Sequence, residues 1–129
     1  MPTYEFTVDV QPQFLPDQSQ PDANLFSFAY TVTIRNTGDV PAQLIARHWV
    51  IVDASGHTEE VKGLGVVGHQ PLLKPGEAFE YTSGSRLRTA TGTMHGTYFC
   101  MADDATRFDA PVKLFVLEAN VPGTGRVLH

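Results

Sequence analysis

The segment Leu25 to Asn36, LFSFAYTVTIRN, holds the clearest periodicity of the chain. Phe26, Phe28, Tyr30, Val32 and Ile34 alternate with Ser27, Thr31, Thr33 and Arg35. A period of two places the first set on one face of a β-strand and the second on the other. The residue types agree, because aromatic and β-branched side chains fit a pleated, half-buried surface. A long strand with one core face is expected here.

The neighbouring segments repeat the pattern in both directions. Towards the N-terminus, Thr3 to Val10 alternates Tyr4, Phe6, Val8 and Val10 with Thr3, Glu5, Thr7 and Asp9, a half-buried strand. Between the two, Gln11 to Asn24 contains Pro12, Pro16 and Pro21, which have no N–H to give to a ladder, so a surface loop is expected. Towards the C-terminus, Asn36-Thr37-Gly38-Asp39 reads as a turn, Ala42 to Asp53 as the next apolar strand, and His57 to Lys62 as a short polar strand pairing back on it. A glycine-rich loop then runs to Pro71, and a further turn stands at Lys74-Pro75-Gly76-Glu77. Glu77 to Leu87, Gly92 to Ala102 and Phe108 to Ala119 supply three more β-rich segments, and residues 120–129, with Pro122, Gly123 and Gly125, read as a loose tail.

No segment sustains the 3.6-residue period of a helix. About seven strands separated by turns argue for a single all-β domain over residues 1–129, an antiparallel β-sandwich of immunoglobulin or fibronectin-III type. Trp49, the sole tryptophan, falls in the third strand, where such sandwiches bury an aromatic. Tyr98 stands two residues before Cys100 in the sixth, the spacing of a tyrosine corner.

The bulk properties narrow the function classes. With 42% hydrophobic and 18% charged residues in 129, the chain can bury a core. Its net charge is −5 and it has no Lys/Arg cluster, which argues against nucleic acid as a partner. The lone Cys100 excludes an internal disulfide and reads as a buried, inert thiol. MPTYEFTVDV lacks the basic start and apolar run of a secretory signal, and no stretch approaches the ~20 apolar residues of a membrane span, so the expectation is a cytoplasmic protein with no membrane partner.

RHWVIVDASG from Arg47, GLGVVGHQPLLKPGEAFEYTSG from Gly63, GTMHGTYFCM from Gly92 and FDAPVKLFVL from Phe108, together with FAYTVTIRN from Phe28, resemble the ApaG family, also called CorD. The motifs occur in the family's order and spacing over nearly the whole chain. Leu64 and His69 depart from the pattern, which more often has Glu at both places. The resemblance implies a fibronectin-III-like sandwich that stands alone in bacteria. It recurs as a domain in a eukaryotic F-box ubiquitin-ligase subunit and in a DNA-polymerase-interacting protein. It also implies a link to cobalt tolerance and magnesium efflux, and a gene neighbourhood shared with a diadenosine tetraphosphate hydrolase.

Gly63-Leu64-Gly65-Val66-Val67-Gly68 matches G-x-G-x-x-G by letter. In dinucleotide-binding folds those glycines join a strand to a helix whose N-terminus faces the pyrophosphate. His69-Gln70-Pro71 does not allow such a helix, since Pro71 disfavours helical geometry at Gln70. What remains is a structural loop, or an anion-binding nest of the Gly63, Gly65 and Gly68 amides with Lys62 or Arg47 nearby.

Side-chain parity sorts the remaining candidates. If Trp49 and Cys100 face the core, His48 and His95 both face outward on neighbouring strands, and Cys100 faces away from them. Two imidazoles are fewer ligands than a tight metal site takes, so no metal and no other cofactor is expected. The same outward face carries Val50, Val52, Phe99 and Met101, and the last strand is apolar on both sides through Leu114, Phe115, Val116 and Leu117. Either the N-terminal strand or the tail covers this face, or it is an apolar patch, His48 included, for an unidentified protein partner. Ser83-Gly84-Ser85, Asp103-Asp104 and Glu59-Glu60 form no nucleophile elbow, H-x-x-x-H run or C-x-x-C pair, and a non-enzymatic role is expected.

Overall fold

The computed structural model describes residues 2–119. Eight strands form two antiparallel sheets packed face to face. They are β1 (Phe6–Phe14), β2 (Phe26–Asn36), β3 (Ala42–Asp53), β4 (Thr58–Leu64), β5 (Leu72–Leu73), β6 (Ala78–Leu87), β7 (Thr91–Ala102) and β8 (Arg107–Glu118). The first sheet runs β1-β2-β6; the second runs β4-β3-β7-β8, with β5 added beside β3. The architecture is the expected β-sandwich, and β3 and β7 are neighbours, as an immunoglobulin-like sheet order implies.

Period-two alternation fixes the core. Phe26, Phe28, Tyr30, Val32 and Ile34 of β2 are buried and face Leu44, Trp49 and Ile51 of β3, Met94, Tyr98 and Cys100 of β7, and Ala110, Val112 and Leu117 of β8. At the centre, the indole of Trp49 is 3% exposed. Its ring meets those of Tyr30 at 5.5 Å and of Tyr98 and Phe115 at 6.0 Å, all edge-on, the arrangement that aligns ring quadrupoles favourably. Gly96 makes room for it: a Cβ there would come within 2.2 Å of the His48 carbonyl oxygen and 3.1 Å of the indole.

One pair of sandwich edges is closed. Phe6 of β1 packs edge-on against Phe108 of β8 at 5.5 Å, and the Tyr4 hydroxyl donates to Asp104 at 2.6 Å. The other pair, β6 and β4, stays apart. Asn36, buried at the end of β2, fastens the turn between the sheets: its amide donates to Val40 O at 2.8 Å and Leu73 O at 2.9 Å, and its carbonyl accepts from Gly38 N at 2.9 Å. With three hydrogen bonds made, this buried amide carries little desolvation cost.

The structure departs from the sequence expectations in four places. Residues 11–14 are strand, not loop: β1 runs through Pro12, which pairs with Tyr30. An edge strand tolerates this, because the missing N–H can point away from the only partner. Two 3-10 turns, Pro16–Gln18 and Pro21–Ala23, fill the rest of that segment. β5 is too short to show a period, and arises where Leu72 and Leu73 lie alongside Gln43 and Ala42. Tyr98 makes no tyrosine corner; its hydroxyl pairs with that of Tyr81 at 2.5 Å instead of with upstream backbone. The tail at 120–129 lies outside the described residues.

Bulges complete the register. β3 carries an extra residue at Ile45, between the Leu44–Cys100 and Ala46–Phe99 pairs. β8 carries one at Lys113-Leu114, opposite His95. Each reverses the side-chain parity on its strand. Leu44 and Trp49, an odd number apart, both reach the core for this reason.

Two outcomes follow from this packing. Trp49→Ala removes the centre of the aromatic cluster and should cost ~3–5 kcal/mol in urea unfolding; a loss under ~1 kcal/mol would contradict the assignment. The Tyr81–Tyr98 pair sets an alkaline limit. Burial pushes the Tyr81 phenol up to about 12 from 10.0, and burial raises that of Tyr98 as well. Because the folded values lie above the unfolded one, their contribution is intact below about pH 10 and is lost as pH rises towards about 12. Urea midpoints should decline over that window, and less steeply in a Tyr81→Phe/Tyr98→Phe double variant.

Candidate functional site

The outward face of the β4-β3-β7-β8 sheet can be laid out in rungs from its register. Leu64, Ala46, Phe99 and Asp109 lie side by side, followed by Lys62, His48, Thr97 and Pro111. Glu60, Val50 and His95 come next, and lead to the β8 bulge. Thr58, Val52, Thr93 and Val116 follow, with Met101 beyond the first rung beside Gln43. The face is apolar at both ends and polar across its middle.

Among the described residues this face is a surface. His48, Val50, Val52, Phe99 and Met101 are each half-buried by their in-sheet neighbours, while Leu64, Leu114 and Val116 are 74%, 58% and 51% exposed. The N-terminal strand does not cover it, contrary to one expectation, because β1 belongs to the opposite sheet. No other described element lies across it. Around Phe99 the face dips into a shallow depression of about 630 Å³, bounded by Ala46, His48, Lys62, Leu64 and Asp109.

The two outward histidines share this face without meeting as ligands. His48 faces Thr97 and His95 faces Val50. The His48 Nε2 contacts Glu60 at 3.1 Å, and the His95 Nδ1 is buried over the β8 bulge with no hydrogen-bond partner among the described residues. Among those residues no group of three or more His, Cys, Asp or Glu side chains is disposed to hold a metal ion. Cys100 is fully buried on the other side, and burial followed by the nearby Asp109 charge pushes its thiol up to about 12. A thiol so placed is a poor nucleophile and a poor ligand.

The glycine stretch closes on itself. Gly63 and Leu64 end β4, and Val66 and His69 exchange hydrogen bonds of 2.8 and 2.9 Å across Val67 and Gly68. Both central residues have positive φ, 41° and 83°, the signature of a two-residue type I′ hairpin turn. A β-branched residue such as Val67 is rarely found there, so this turn is strained. The Gly65 amide donates to Ile45 O at 2.8 Å, and Arg47 Nη1 donates to the carbonyls of Leu64 and Gly65 at 3.0 and 2.9 Å. Gly63, Gly65 and Gly68 thus sit in a strand end, a crossing point and a turn. Their loop offers Arg47 carbonyl oxygens.

Sequence reading missed the inward position of Arg47. Its parity relative to Trp49 carried the signal, since residues two apart on a strand share a face. It was obscured because a cation is not expected on a core face.

Comparison with known proteins agrees with this arrangement. The ApaG domain family matches residues 16–102. The chain is 67% identical over 137 residues to Protein ApaG of an Acidovorax species, covering the whole of both, and 60% identical over 117 residues to Protein ApaG of Ralstonia nicotianae, covering 91% of this chain and 94% of that one. A crystal structure described as an ApaA protein from Bordetella pertussis superimposes with a TM-score of 0.89 at 52% identity, over 91% of this chain and 95% of that one. No described helix is long and apolar enough to cross a membrane. By the match over residues 16–102 and the identity to these relatives, the chain belongs to the ApaG family.

Proposed function

We propose that the chain is a non-enzymatic protein-interaction module whose partner docks on the outward face of the β4-β3-β7-β8 sheet. The supporting observation is that Val50, Val52, Phe99, Met101, Leu114 and Val116 are gathered on a face over which no described element lies. Water contact with that much apolar surface is unfavourable, and a partner would remove it. The polar middle, with Lys62 and the His48–Glu60 pair, would set orientation and reject mismatched surfaces. Phe99 is the natural anchor, an aromatic ring at the floor of the depression. The family's link to cobalt and magnesium handling would then act through that partner, in the cytoplasm, without catalysis by this chain.

Affinity capture with the wild-type chain, Phe99→Asp and Val50→Asp tests the reading. The partner should be retained by wild type and its affinity lowered by about 2 kcal/mol or more, roughly thirtyfold, in either variant. Circular dichroism and thermal melting should stay close to wild type. Variants that unfold would show the face to be buried in the native protein, and folded variants that still hold the partner would move its site elsewhere.

A further inference from the structure

The open side of the sandwich contains a cleft of about 580 Å³ between β6 and β4. Its origin is in the sequence of the two edge strands. Of the inward positions of β6 after Tyr81, Ser83 and Ser85 line the cleft and Leu87 is buried beyond them, and those of β4 are Glu59, Val61 and Gly63. Small or polar side chains stand where a filled core would carry large apolar ones, which leaves a cleft whose floor reaches the nearly fully buried Trp49 and Tyr30.

Arg47 lines one end. The bulge at Ile45 puts it on the inner face, where its Nη1 is held by the carbonyls of Leu64 and Gly65. Its guanidinium lies over Gly63: a Cβ there would be 2.9 Å from both Nη atoms. Among the described residues neither Arg47 nor Arg86 takes part in an ion pair, and the Ser83 and Ser85 hydroxyls have no hydrogen-bond partner. A half-buried guanidinium facing a cleft without a counter-charge is costly unless something fills that place. At the other end the cleft is bordered by Glu59 and the exposed Arg86. Glu59 pairs with Ile51 and Gly63 with Arg47, so the two ends are four residues apart along β3, about 13 Å. The Arg47 end therefore favours an anion, and the middle, between Val61, Trp49 and Tyr30, favours a flat apolar group.

We infer that this cleft is a binding site for a small organic anion, with its carboxylate or phosphate against Arg47 and Ser83 and its apolar body along Trp49. Guanidinium matches both anions through paired N–H donors, so the two head groups share one recognition chemistry. Glu59 disfavours a second negative charge at the far end. This cleft opens on the opposite side of the sheet from Phe99, and Arg47 is the residue that borders both it and the Phe99 depression.

Trp49 is the sole tryptophan, so its fluorescence reports on the cleft. Titration with benzoate and with phenyl phosphate should give a saturable change for at least one, which identifies the preferred head group, and benzyl alcohol should give none. Ser85→Leu, which fills the cleft with an apolar side chain and keeps Arg47 in place, should weaken binding by about tenfold or more, as should Arg47→Gln. Phe99→Asp should bind as wild type does. The inference is overturned if neither anion saturates, if benzyl alcohol responds equally, or if folded Ser85→Leu binds unchanged; that variant decides the matter even if Arg47→Gln fails to fold.

Discussion

The extra residue at Ile45 is the constraint from which the rest of the second sheet follows. Leu44 and Trp49 are both buried although an odd number of positions separates them, which a regular strand cannot achieve. Inserting one residue between their rungs resolves the conflict. The insertion needs its own support, because a bulge interrupts the ladder and leaves backbone groups to be satisfied. That support comes from the glycine loop: Ile45 O accepts from Gly65 N at 2.8 Å and from Gln70 Nε2 at 2.9 Å. Two donors on one carbonyl tie the loop to the bulge. Loop and strand are therefore one device, and its product is a Trp49 that faces the core and an Arg47 that faces it too.

Much of this was legible from residue order, and the reason is physical. Wherever one face is buried and the other wet, alternation is forced, so β2, β3, β6, β7 and β8 could be placed within a residue or two of where they lie. The outward set, His48, Val50, Val52, Phe99 and Met101, followed from the same parity once Trp49 was taken as core. The features that escaped are those in which backbone hydrogen bonding, not side-chain polarity, decides. Pro12 continues β1 because only one side of an edge strand needs donors. The pairing of Ala42 and Gln43 with Leu73 and Leu72 is accompanied by hydrogen bonds to the carbonyls of Leu73 and Pro71, from the Asn36 side-chain amide and Leu44 N, that no period encodes. The bulge itself is invisible except as two apolar residues in apparent disagreement.

The two sides of the sheet carry opposite departures from an ideal sandwich. On the inside, Ser83 and Ser85 leave volume unfilled, and Arg47, lying over Gly63, brings charge towards it. On the outside, Leu64, Leu114 and Val116 expose apolar surface that a solvated sheet face would replace with polar residues. Each departure costs stability, through lost packing in one case and through hydrated hydrocarbon in the other. A sequence consistent at every level would carry neither, and local inconsistencies of this kind concentrate where a protein meets something else.

The resemblance of Gly63 to Gly68 to a dinucleotide fingerprint dissolves when each glycine is given its local cause. Gly63 is required because the Arg47 guanidinium lies where a Cβ would be. Gly65 combines a φ of 64° with a close approach to the His69 carbonyl, 2.3 Å from a would-be Cβ. Gly68 supplies the second positive φ of the hairpin turn and has open space around it. A phosphate cradle needs its glycines for one shared reason, the approach of backbone N–H groups to an anion. Here three separate steric demands fall at the same spacing, and two of them serve the bulge and the arginine on β3. The chemistry suggested by the motif is thereby transferred from the loop to the side chain that the loop holds in place.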